Sequence, residues 1–219
     1  MTEQRERAIN APWPVLALIV ILIGAFVVQT FVGVNQTADS LGFAPEDLLT
    51  GRFDTLVISI FLHGGWPHVL SNAAFALAFC TPVSRRMGED SRGATAFFIF
   101  FLACGVLGNV GYALLSFGQE NPSIGASGAV AGMMGAASRL MGRPGDLAPF
   151  RSRTVIGMAV AWLVINLLYG LLLVGWAPGA GGAPISWQVH LAGYAAGLFL
   201  IAPALSLIGR LKLDHGIEN

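Results

Sequence analysis

Charged residues in this 219-residue chain are spaced so that whole membrane-spanning lengths pass between them. Arg7 and Asp39 enclose 31 uncharged residues, Asp54 and Arg85 enclose 30, Arg92 and Glu120 enclose 27, Glu120 and Arg139 enclose 18, and Arg153 and Arg210 enclose 56. A helix crosses a hydrocarbon core of ~30 Å with about 20 apolar residues. The last stretch is broken by the Gly/Pro-rich segment Trp176-Ala-Pro-Gly-Ala-Gly-Gly-Ala-Pro184, so it holds two crossings and each of the others one. The expectation is an all-α polytopic membrane protein with six helices near 12–33, 67–84, 94–116, 127–142, 154–175 and 187–208. Its membrane domain spans 12–209, between an N-terminal segment 1–11 and a C-terminal tail 210–219.

Composition agrees. Hydrophobic residues make up 55% and charged residues 11%, where a soluble domain carries roughly a quarter charged. Twelve basic and twelve acidic side chains cancel, leaving no basic field to gather nucleic acid. Two cysteines, Cys80 and Cys104, both inside apolar runs, do not make a disulfide scaffold. With six crossings, both termini and the loops after the second and fourth helices share one side. That side holds Arg5, Arg7, Arg85, Arg86, Arg92, Arg139, Arg143, Arg151, Arg153, Arg210 and Lys212, and only Arg52 falls opposite. Basic residues accumulate on the cytoplasmic side, so both ends are expected there. The apolar run Val15–Val34 outlasts a secretory h-region and is read as a retained helix. Arg-rich, Lys-poor and Ala/Gly-heavy usage points to a bacterial plasma membrane.

Polar side chains are costly at membrane depth, so those inside apolar runs are the functional candidates. Three groups qualify. In His63-Gly-Gly-Trp-Pro-His68-Val-Leu-Ser-Asn72, Pro67 suits a first helical turn, and His68 and Asn72 then lie four apart on one face. Interfacial histidines with a packing Asn would look the same. In Ser123-Ile-Gly-Ala-Ser127-Gly-Ala-Val-Ala-Gly-Met-Met-Gly135, Gly128, Gly132 and Gly135 form a small-residue stripe of the kind that lets helices approach closely. Ser127 stands at the helix start, where backbone N–H groups are unpaired and negative charge is favoured. A hydroxyl beside free N–H donors is what acyl transfer needs, and it is equally an ordinary helix cap. From Ser127 to Arg143 the helix would run about 24 Å, short of the core, so Ser127 sits below the outer surface in a protein-lined or wet cavity. In Trp187-Gln-Val-His190-Leu-Ala-Gly193-Tyr-Ala-Ala-Gly197, the two glycines share the face of His190. Gly-on-Gly packing against the Gly128 stripe would bring His190, a workable base at neutral pH, beside Ser127. No H-E-x-x-H or other metal-ligand spacing occurs, so no metal or cofactor is expected.

Together the three groups resemble the rhomboid family of intramembrane serine proteases over roughly residues 50–210. The match lies in His63-x4-His68-x3-Asn72, Gly125-Ala-Ser127-Gly128 and His190-x2-Gly193-x3-Gly197, in that order. The resemblance implies a six-helix rhomboid-like bundle in which Ser127 is the nucleophile and His190 the base, a dyad without an acidic third member. It implies oxyanion stabilisation by the Ser127 N–H and by the His68 and Asn72 side chains, with His63 structural. It also implies transmembrane proteins within the lipid bilayer as substrates, cut near their outer ends.

The chain departs from the usual family pattern at Asp54-Thr55, where many members carry Trp-Arg, at Ser84, where an acidic residue often precedes the arginine, and at Ala131, where some members stack a ring on the base. Two rival readings are a non-catalytic rhomboid-like factor that binds membrane proteins, and a small transporter. The first usually lacks nucleophile or base, and the second would show inverted repeats or an intramembrane carboxylate. Oligomeric state stays open, because glycine stripes serve internal packing and dimers alike.

Overall fold

Prolines at 12 and 14 start the first helix where a missing N–H costs nothing, and Gly33, at φ 117°, ends it. This helix, α1 (Trp13–Val32), is apolar all round, yet it buries only the row Pro14, Val15, Leu18, Leu22, Phe26 and Gln29. Val20, Val28 and Phe31 stay exposed, as expected of a helix with protein on one side and lipid on the other. The computed structural model describes residues 10–116, 122–142, 145–177, 182 and 184–211. Segment 1–9, Arg143 and the tail from Lys212, on which part of the charge asymmetry rests, lie outside the described residues.

Three short helices follow, α2 (Val34–Leu41), α3 (Asp47–Thr50) and α4 (Thr55–Ile58), the last continuing as one 3₁₀ turn, Ser59–Phe61. Buried Asp47 organises this segment. It accepts from Ala44 N (3.0 Å) and Thr55 Oγ1 (2.9 Å) and pairs with Arg52 at 3.2 Å. Then come α5 (Trp66–Met87), α6 (Ser91–Leu115), α7 (Ser127–Leu140), α8 (Arg153–Leu167) and α9 (Trp187–Leu207). After α8 the coil widens into a π-helical turn, Leu168–Leu172. Among the described residues there is no strand, only an isolated bridge between Phe43 and Ser123.

Four of these elements are long and apolar enough to cross a membrane: Trp13–Val32, Ser91–Leu115, Arg153–Leu172 and Trp187–Leu207. The 14-residue α7 is different in kind. At 1.5 Å per residue it extends only about 21 Å. Gly128 through Arg139 are all buried, so α7 is the axis around which α5, α6 and α9 pack.

Glycine makes that packing possible. A Cβ on Gly193 would fall onto the carbonyl of Gly128, one on Gly197 onto the carbonyl of Gly132, and one on Gly135 onto the carbonyl of Tyr194. Backbone therefore meets backbone along the α7–α9 seam, and α6 joins it through Cys104, which a Cβ on Gly132 would strike.

The far end of the bundle from Ser127 is fastened by guanidinium groups. Arg86 donates to the carbonyls of Arg210 and Gly145, and Arg92 Nη2 donates to Leu207 O at 3.0 Å. Arg210 pairs with Asp90. The last residue of α9 is thus met by a side chain from the start of α6, and the chain just beyond it by one from the end of α5.

Candidate active site

The loop entering α7 is held from two sides. Ser123 N donates to Phe43 O (2.8 Å), and Gly125 N donates to Ser59 O (2.9 Å). Ser59 is itself fixed, because buried Asn109 on α6 donates to its Oγ at 3.0 Å and to Leu56 O at 2.9 Å. Gly125 adopts φ 115°, a backbone conformation that side chains resist. Its open side faces α5: a Cβ there would lie 2.7 Å from His68 Nε2 and 3.6 Å from Asn72 Nδ2. The glycine thus lets two α5 side chains reach the backbone just before Ser127.

Ser127 is the first residue of α7. The opening amides of a helix have no carbonyl one turn earlier to bond, and they carry the positive end of the helix dipole. The Ser127 hydroxyl lies 2.8 Å from His190 Nε2 across the α7–α9 seam. Asn72 is 4% exposed, and its Nδ2 has no hydrogen-bond partner among the described residues. His68 is half-buried, with Nδ1 accepting from Gly64 N at 3.3 Å, which leaves Nε2 turned toward Gly125. Ser127 and His190 thus meet directly, and His68 and Asn72 converge on Gly125 two residues upstream.

His63 stands apart from this meeting point. It is fully buried, its backbone N–H donates to Gln29 Oε1 at 2.9 Å, and its ring packs edge-on against Phe26 and His68. It ties α1 to the first turn of α5. Gly128, Gly193 and Gly197 line the seam already described.

Sequence reasoning missed one neighbour of the pair. Asn166 on α8 is 1% exposed, and its Oδ1 lies 2.8 Å from His190 Nδ1. Its Nδ2 donates to Trp162 O at 2.8 Å. The Trp162 ring lies 5.9 Å from the imidazole, inclined at 44°. An aromatic therefore flanks His190 from α8, although the position four after Ser127 is Ala131. The signal was present, since Asn166 is an uncharged polar residue deep in an apolar run, as are Asn109 and Gln29.

The arrangement joins a hydroxyl, an imidazole within proton-transfer distance, and unpaired donors at a helix start. That combination suits attack on an acyl carbon. In comparisons with known proteins, the family model described as the Rhomboid domain matches residues 50–206. The protein described as "Putative rhomboid protease YdcA", from Bacillus subtilis (strain 168), is 25% identical over 150 residues, which cover 68% of this chain and 66% of that protein's length.

Proposed function

The chain belongs to the rhomboid family, and from that premise we propose that it is an intramembrane serine endopeptidase that hydrolyses peptide bonds in or near transmembrane helices of other proteins. The observation that carries the reading is the 2.8 Å approach of His190 Nε2 to Ser127 Oγ. In the proposed reaction Ser127 Oγ attacks the scissile carbonyl carbon as its proton passes to His190 Nε2. The tetrahedral oxyanion accepts hydrogen bonds from the Ser127 N–H and from the side chains of His68 and Asn72. Collapse breaks the C–N bond, and the proton on Nε2 goes to the departing amine. Water then attacks the acyl-serine, giving a proton to the same nitrogen, and the acid product leaves with Ser127 restored.

The substrate must come unwound, because a peptide bond inside a helix is screened by its own turn. Gly or Pro near the bond lowers that cost. In this reading the bundle crosses the membrane six times, α5 and the short α7 joining the four long apolar helices, with residues 12–209 as the membrane domain. Both termini face the cytoplasm across a bacterial inner membrane, and Ser127 opens toward the outer leaflet. The membrane is then thinned or wetted over the start of α7.

The test uses detergent-solubilised protein, a fluorophosphonate probe and a reporter bearing a Gly-rich transmembrane helix. Labelling and cleavage are expected for the parent protein and for neither Ser127→Ala nor His190→Ala. Cleavage that persists in Ser127→Ala would end the proposal.

A further inference from the structure

We infer that Asn166 is the positioning residue for His190: its side-chain carbonyl accepts the Nδ1 proton and so holds the ring in the tautomer that offers a bare Nε2 to Ser127. The assignment deepens the Ser127–His190 reading and rests on it.

Two contacts fix which way the Asn166 amide points. Nδ2 lies 2.8 Å from the Trp162 carbonyl, which can only accept. Turning the amide over would set two oxygens against each other at that distance. Oδ1 must therefore be the atom facing His190 Nδ1 at 2.8 Å, and an oxygen there requires Nδ1 to carry a hydrogen. In a neutral imidazole the other nitrogen is then the acceptor, and that nitrogen is the one 2.8 Å from the Ser127 hydroxyl.

The surroundings of Asn166 support a specific role. Of the 15 residues of α8, only Val155 and Asn166 are buried. An amide on a helix otherwise turned outward to lipid is costly unless it is bonded, and both of its polar atoms are bonded here. The helix also leaves α-geometry just afterwards, at the π turn Leu168–Leu172, a distortion frequent beside functional sites. Trp162, one turn earlier, lies against the same imidazole. One helix thus supplies both the acceptor for Nδ1 and a wall for the ring.

The chemical consequence concerns the proton's path. A base that must take a proton at Nε2 is useless in the Nε2–H tautomer. An acceptor at Nδ1 selects the useful form and then stabilises the imidazolium once Nε2 is protonated. A neutral amide does this without placing a carboxylate in the membrane.

The experiment compares the parent, Asn166→Leu and Asn166→Asp, each with ¹⁵N-histidine, in detergent. His190 is assigned by its disappearance in His190→Ala. The parent is expected to show His190 protonated at Nδ1 and bare at Nε2. Asn166→Leu is expected to lose that pattern to a tautomer mixture, and Asn166→Asp to keep it. An Asn that merely docked α8 would leave the pattern unmoved in Asn166→Leu, and that result would overturn the assignment. So would an Nε2-protonated His190 in the parent. In the fluorophosphonate assay, labelling of Ser127 is expected to slow about tenfold or more in Asn166→Leu and to recover in Asn166→Asp. Parent-rate labelling in Asn166→Leu would overturn the positioning role and leave the protease reading standing. An unlabelled parent with an Asn166-dependent tautomer would do the reverse.

Discussion

Gly197 rests on the carbonyl of Gly132 with no space between them for a methyl group. One turn nearer the site Gly193 meets Gly128 in the same way, and from there the backbone of α9 leads to His190. How closely α9 approaches α7 is therefore set by backbone-to-backbone contacts, on which the reach from imidazole to hydroxyl depends.

Replacing Gly197 by Val is expected to abolish cleavage, because the branched side chain forces α9 away from α7. Overpacking of this kind costs about 1–3 kcal/mol, measurable by thermal unfolding in detergent. A variant cleaving the reporter at the parent rate would show that the seam does not set the site.

Asn72→Ala is expected to lower kcat by about 10²-fold or more with little change in melting temperature. The asymmetry follows from the structure: Asn72 Nδ2 is buried without a partner among the described residues, so truncation breaks no bond from it to them. Steady-state cleavage and a melting curve on one preparation separate the two effects. A large fall in melting temperature would make Asn72 a structural residue instead.

Asp90 gives a pH-dependent prediction. Its carboxyl caps α6 by accepting from Gly93 N at 2.8 Å. That bond, helped by the Arg210 guanidinium, holds it below the usual carboxylate range. The unfolded carboxyl titrates at about 3.9. Because the folded value is depressed, the cap's contribution is complete above the unfolded value and is lost as pH falls through the folded one. Asp90→Ala is expected to melt below the parent at pH 7, with the gap narrowing as the buffer is taken below about pH 4. Melting curves across that range check it, and a gap constant with pH would remove the carboxylate as its cause.

Much of this was legible in the sequence because lipid penalises charge so strongly. Each of the six proposed helices has a helical counterpart within a few residues of its expected bounds, apart from the end of the fifth. The second was expected to stop at 84, before Arg85, whereas α5 continues to Met87, since basic side chains favour the last turn of a helix. The fifth was expected to run to 175, whereas α-geometry ends at Leu167 and a π turn follows. The short helices α2–α4 were invisible; α3 and α4 are shaped by the local ties of Asp47 and by bonds from Asn109 on α6 rather than by periodicity. Asn166 escaped for a related reason. It stands out as an uncharged polar residue deep in an apolar run, but its role depends on the imidazole that α9 brings to it.

The arginines at the end opposite Ser127 carry two messages in the same atoms. Arg86, Arg92 and Arg210 belong to the set on which the expected orientation rests, and Arg92 and Arg86 also hold carbonyls at the end of α9 and three residues beyond it. In the proposed orientation, insertion and folding therefore draw on the same side chains. An engineer who neutralised these side chains to turn the chain over in the bilayer would, by the same edit, unbutton the helix that carries His190.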